Sequence, residues 1–194
     1  MPIVDLIHER RSVRAYTDQQ VDEPLLRELL DAAVHAPTAM HLEPWAFAIV
    51  QDKAVLKRYS ERAKSILRSP GGAVGWGSSG RAPGDHPAML DDPAFNIFYD
   101  AGTLIVVCRK QGGPFADADC WLAAQNLMLA AAAKGLATCC IGFAVSVLNT
   151  AAVKRELGIP AEGAAVAPIV VGYARGASPA APRKAPEILA WVRQ

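Results

Sequence analysis

Arg10, Arg11 and Arg14 place three guanidinium groups within five residues, with the hydroxyl of Ser12 among them. Arginine is always charged, and its planar fork meets phosphate oxygens in pairs. The cluster is therefore a candidate phosphate clamp. It also has a plain structural alternative. Ile3, Leu6 and Ile7 stand just before it at helical spacing, and basic residues commonly close a helix by complementing its dipole. The segment alone leaves both readings open.

Elsewhere the residue types that do chemistry do not assemble. Gly75-Trp76-Gly77-Ser78-Ser79-Gly80 matches the dinucleotide pattern G-x-G-x-x-G. That pattern works only where a strand turns into a helix whose N-terminus holds the pyrophosphate. No strand pattern precedes it, and Pro83 and Pro87 interrupt the residues after it, so it reads as a loop. His8, His35, His41 and His86 lack metal-ligand spacing, and no metal site is expected. Ser78 and Ser79 lack the strand–turn–helix of a nucleophile elbow, and Cys139-Cys140 has no evident base or cation beside it. Asp91-Asp92 reads as a solvated turn. Hydrolysis has no foothold here.

The balance of the chain sets the frame for any site. With 52 % hydrophobic and 20 % charged residues, a 194-residue chain suits a single globular domain over 1–194. Roughly 70 % of the unfolded surface can be buried at this length, so no staples are needed. A net charge of +1 gives no reason to expect nucleic acid or an anionic membrane as partner. Positive charge must be concentrated locally to matter. Cys108, Cys120, Cys139 and Cys140 lie in or beside apolar runs without Cys-x-x-Cys spacing, which predicts reduced core thiols and a cytoplasmic protein. No secretory leader pattern opens the sequence, and no apolar run reaches the roughly 18 residues of a membrane span.

The elements that must position the cluster emerge from periodicity and punctuation. A short helix is predicted over Pro2 to Glu9. A second starts at Asp22, a good N-cap, with Leu25, Leu26, Leu29, Leu30 and Ala33 as its apolar stripe, and stops at Ala36-Pro37. Trp45 to Val50 reads as a buried strand, and Lys53 to Leu67 as a helix. A Gly/Pro-rich loop at about 69–93 is either a lid or disordered. Thr103 to Cys108 is a strand, Asp119 to Lys134 a fully buried central helix, and Thr138 to Phe143 a strand ending at Gly142. Val147 to Leu157 reads as a helix, and Val166 to Tyr173 as a last strand in which Pro168 hints at an edge or a bulge. Ile188 to Val192 reads as a final helical turn. The order gives α+β or α/β, with four or five strands under helices.

Several pieces, in order, carry a resemblance. After Arg10-Arg11-Ser12-Val13-Arg14 come Ala36-Pro37-Thr38-Ala39 and Glu43-Pro44-Trp45-Ala46-Phe47. Thr138-Cys139-Cys140-Ile141-Gly142-Phe143, Val170-Val171-Gly172-Tyr173 and Pro182-Arg183-Lys184-Ala185-Pro186 complete the series. Over nearly the whole chain this resembles the nitroreductase family of FMN-dependent oxidoreductases. The resemblance implies an α+β homodimer, with a mostly antiparallel sheet of about four or five strands flanked by helices, and FMN at the subunit interface.

By the match, Arg10, Ser12 and Arg14 hold the FMN phosphate and the polar edge of the ring system, and Arg183 reaches the same phosphate; Arg11 is either a further cofactor contact or only a helix cap. Pro37, Thr38 and Ala39 lie against the flavin of the partner subunit. Backbone groups of Ile141 and Gly142 approach N5, helped by a residue without a side chain. The family commonly has Asn and Gln where this chain has His41 and Glu43; an ionised carboxylate accepts but cannot donate, and His41 can add charge near the ring. Trp76, His86, Phe95 and Phe98 are candidates to line the substrate side, since aromatic faces suit flat rings. The implied activity takes a hydride from NADH or NADPH and passes it to nitroaromatics or quinones in ping-pong fashion, with no catalytic side chain. Dehalogenation or another oxidation on the same flavin, and non-enzymatic flavin storage or sensing, are the alternatives.

Overall fold

The computed structural model describes residues 2–69 and 87–193. Helix α1 (Ile3–Glu9) buries only Leu6 and gives way at Arg10 to an extended segment. The Asp22 carboxylate accepts the Leu25 N–H at 3.0 Å and starts α2 (Glu23–Val34), which buries Leu26, Leu29 and Ala33. Strand β1 (Trp45–Val50) comes next, and Asp52 caps α3 (Lys53–Arg68) through the Ala54 and Val55 amides. Strand β2 (Thr103–Arg109) leads to α4 (Ala116–Ala133), and β3 (Ala137–Cys140) to the short helices α5 (Val145–Leu148) and α6 (Ala151–Glu156). Strand β4 (Ala164–Gly172) closes the sheet.

The four strands run β1-β2-β4-β3, every neighbouring pair antiparallel. Side chains alternate across a strand, so the sheet feeds two cores. Leu104, Val106 and Cys108 of β2 join α3 and α5 on one face; Ile105 and Val107 join α2 and α4 on the other. The register shifts between Val107 and Cys108, so Val166 and Ala167 of β4 both enter the second core. Both inner strands are apolar almost throughout because both their faces are covered.

The expected α+β architecture is present, with several differences in detail. First, β1 is an edge strand with Ile49 40 % exposed, not a buried one. Second, β4 is interior, and Pro168 is tolerated there because β3 has already ended: Ile141 N–H donates to the Pro168 carbonyl at 2.8 Å, and the missing proline donor faces the same side. Residues 142–144 are a 3-10 turn, not strand. Third, the single helix expected over 147–157 is split at Asn149-Thr150. The Asn149 amide bonds Val145 and Ala165 backbone groups, and the Thr150 hydroxyl caps α6. Fourth, Ile188 to Val192 is not helical and lies exposed. Helix α4 also leaves Leu122 45 % exposed, so it is buried along one side only in the single chain.

Candidate cofactor-binding site

The arginine segment is held as an extra, partial strand. Arg10 N–H closes α1 on the Leu6 carbonyl at 2.9 Å. Ser12 bridges Thr138 in parallel, with Val13 N–H donating to the Thr138 carbonyl at 3.0 Å. Tyr16 bridges Ala174, and Arg175 N–H donates to the Ala15 carbonyl at 2.9 Å. Val13 and Tyr16 turn inward, and the Tyr16 hydroxyl donates to the Val13 carbonyl at 2.8 Å. Ser12 and Arg14 are left on the outside. The β3 edge and the residues just past β4 thus fix the backbone from which the arginines project.

These contacts create a pocket of about 530 Å³, lined by Arg10, Arg11, Ser12, Arg14, Arg175 and Arg183 with the 177–181 backbone. Among the described residues, Arg10, Arg14, Arg175 and Arg183 form no salt bridge. Like charges gathered without counter-charges repel one another and raise the local affinity for an anion. Arg11 differs. Its Nη1 donates to the His8 carbonyl at 2.5 Å and the Arg10 carbonyl at 3.0 Å, so it caps α1 while bordering the pocket.

A second cavity of about 160 Å³ adjoins the first through Arg14 and is lined by Tyr99, Cys139, Cys140, Ile141, Gly142 and Phe143 with Ile97 behind. It lies where β3 ends and the 142–144 turn begins. Burial pushes the Cys139 thiol up, against the pull of Arg14, Arg10 and the Ser12 hydroxyl; burial pushes Cys140 up to about 12. Both therefore stay protonated thiols. Burial also raises the Tyr99 phenol, opposed by Arg14, whose guanidinium carbon lies 5.9 Å from the Tyr99 ring centre.

Pro37, Thr38, Ala39, His41 and Glu43 form a separate group that lines neither cavity. The Ala39 N–H donates to the buried Asp119 carboxylate, and the Glu43 N–H to the Thr38 hydroxyl at 3.5 Å. Met40, His41 and Glu43 all have positive φ, at 54°, 52° and 43°. Such backbone persists only where its surroundings over-determine it. Their side chains are exposed, Met40 by 87 %.

Of the candidates for the substrate side, Trp76 and His86 lie outside the described residues, as does the G-x-G-x-x-G stretch. Phe98 is corrected: it is fully buried in the core and lines neither of the two cavities. Phe95 is half-buried, edge-on to Tyr99 at 5.8 Å. Spacing and residue type in the sequence do not single out Arg175, Tyr99 or Asp119. Arg175 stands alone in the sequence, and its only signal is its place just after the last strand. No group of three or more metal-ligating residues occurs among the described residues, and none of their helices is long and apolar enough to cross a membrane.

Fold and site together define an α+β protein with an arginine-lined pocket that shares Arg14 with a smaller cavity walled in part by Tyr99 and Phe143. Comparison with known proteins gives that class its family. The model of the nitroreductase family matches residues 7–173, and the chain belongs to that family. A Methanothermobacter thermautotrophicus protein provisionally named NADH dehydrogenase/NAD(P)H nitroreductase is 29 % identical, over 89 % of this chain and 78 % of that one. Iodotyrosine deiodinase of Thermotoga neapolitana is 28 % identical, over 69 % of this chain and 70 % of that one. A crystal structure of a nitroreductase with bound FMN from Bacteroides fragilis shares the fold with a TM-score of 0.78, at 24 % identity and full coverage of both chains.

Proposed function

We propose that the protein is an FMN-dependent oxidoreductase that takes a hydride from NADH or NADPH and delivers it to nitroaromatics, quinones or similar oxidants. The observation that carries this reading is the convergence of Arg10, Arg14, Arg175 and Arg183 on one pocket without a carboxylate partner among the described residues. A phosphate monoester carries about two negative charges and several strong acceptors, which suits such a pocket. When bound, FMN supplies the hydride chemistry, which asks for no acid, base or nucleophile from the chain.

The chain's residues then have positional tasks. Arg10, Arg175 and Arg183 hold the phosphate, and Arg14 reaches from that pocket towards the polar edge of the ring system. The backbone of Ile141 and Gly142 borders the ring cavity. We infer a homodimer in which the exposed 37–43 segment of each subunit covers the flavin held by the other, with His41 and Glu43 facing the ring's surroundings. A second reading keeps the flavin and changes the oxidant to a halogenated phenol; the similarity to iodotyrosine deiodinase favours it.

Purification tests these readings. The protein should be yellow, should bleach with NADH or NADPH, and should recover its colour on addition of a nitroaromatic or quinone. Recovery only with an iodinated phenol, with release of iodide, would support the second reading. A yellow protein that neither nicotinamide bleaches is a flavin store or sensor. A colourless protein that ignores added FMN refutes all of them.

A further inference from the structure

Arg14 lines both cavities, yet it is exposed and no carboxylate among the described residues holds it. The other guanidinium groups of the larger pocket repel it. What faces it is an aromatic ring: the Arg14 guanidinium carbon lies 5.9 Å from the centre of Tyr99. A cation near a ring face is attracted by the ring quadrupole.

Tyr99 reaches that place at the expense of its own backbone. Tyr99 and Asp100 have φ of 54° and 55°, two consecutive left-handed residues that are not glycine. The surroundings enforce this. Tyr99 N–H donates to the Asn96 carbonyl at 2.8 Å, Phe98 N–H to the Asn96 side-chain oxygen at 3.0 Å, and the Asn96 amide to Asp100 at 2.8 Å. Helix α3 clamps the whole unit. The Ser60 hydroxyl accepts the Ile97 N–H at 3.1 Å. The ammonium of Lys64, only 1 % exposed, donates to the Phe95 and Asp92 carbonyls at 2.9 and 3.4 Å and pairs with Glu61 at 2.8 Å. A buried lysine and a strained turn converge on the aim of one ring.

We propose that Tyr99 is a positioning residue that holds the Arg14 guanidinium at the junction of the two cavities, and that Ser60 and Lys64 fix Tyr99 there through the 92–98 backbone. Its consequence rests on the flavin reading: a guanidinium kept at the junction favours the negative charge that reduction adds to the ring system. Tyr99 thereby sets the potential through Arg14.

Two measurements test this. In NMR spectra of the ligand-free protein, the Arg14 Nε proton should be displaced by the Tyr99 ring current. Tyr99→Leu should return it to the position of free arginines, and Tyr99→Phe should keep it displaced. With FMN bound, Tyr99→Leu should weaken the reduced form about tenfold more than the oxidised form, a fall of about 30 mV in the two-electron potential. The same substitution made on Arg14→Ala should leave the potential unchanged from Arg14→Ala alone. A packing role would move the potential equally with and without Arg14, which overturns the proposal. An undisplaced Arg14 resonance in the unsubstituted protein also overturns it, with no variant needing to fold. A protein that shows the Arg14 displacement but does not bind FMN would instead remove the flavin reading and leave the contact standing.

Discussion

The two carboxylate oxygens of Asp119 stand 3.2 and 3.3 Å from the backbone nitrogen of Ala39, one buried anion holding one amide. Asp119 sits in the first turn of α4, where the helix dipole favours negative charge, and it is 5 % exposed. The amide it holds opens the segment that contains Met40, His41 and Glu43, all left-handed. A rigid helix thus carries a strained, exposed loop. Asp119→Ala should lower stability by about 1.5–3 kcal/mol, the range for hydrogen bonds to charged groups, and speed amide exchange across 38–43. Asp119→Asn, which keeps an acceptor oxygen, should recover most of both. Equal losses in the two variants in urea unfolding would show that the oxygen is not what matters.

The arginines of the larger pocket should divide into two kinds. Arg10→Ala, Arg175→Ala and Arg183→Ala should each weaken FMN binding by about 1–3 kcal/mol, read from flavin fluorescence titration. Arg11→Ala should act chiefly on stability, since its guanidinium is already bonded to the end of α1. An Arg175 variant with undiminished flavin affinity would remove that residue from the clamp.

Buried thiols should set the alkaline limit of the fold. Burial pushes Cys108, Cys120 and Cys140 from 9.0 up to about 12. Between those values the unfolded chain has lost protons that the folded chain keeps, so the folded state is the more protonated one. The stabilisation is complete below about pH 9 and is lost as pH rises towards 12. Urea midpoints should hold level up to that point and then fall. Cys108→Ala and Cys140→Ala should each make the fall shallower; an unchanged slope would contradict the assignment.

Gly172 leaves little room for a side chain. A Cβ there would stand 3.0 Å from Cδ1 of Tyr16, whose hydroxyl bonds Val13 within the arginine segment. Overpacking of this kind typically costs about 1–3 kcal/mol. Gly172→Ala should therefore lower the melting temperature and also weaken FMN binding, because Tyr16 cannot move without Ser12 and Arg14. Weakened folding with intact flavin affinity would separate the two effects and refute the link.

The local parts of this fold were legible in the sequence. Helix α3 begins at the expected Lys53 and ends one residue past the expected Leu67, because its start is a side-chain cap and its stripe is periodic. What escaped was decided by non-local contact. Asn149 breaks the expected 147–157 helix because its amide pairs with Ala165, a strand residue no periodicity could assign to it. Ile188 to Val192 has a helical pattern but no surface in the described chain to bury it. The site divides in the same way. The Arg10–Arg14 cluster announces itself by spacing, whereas Arg175 joins it only through the Ala15 backbone bond. Phe98 and Tyr99 are neighbours of similar type, yet only Tyr99, at positive φ, lines the smaller cavity while Phe98 lies in the core.

The extended segment that carries Arg10 to Arg14 pairs with β3 and with the residues beyond β4, elements that lie far along the chain. No short stretch of sequence can make this pocket in advance of the rest. It exists only once the sheet has been completed and both distant segments have come to its end. On the proposed flavin reading, cofactor binding would report finished folding, and a bound flavin would tie the Arg10–Arg14 segment to the residues beyond β4.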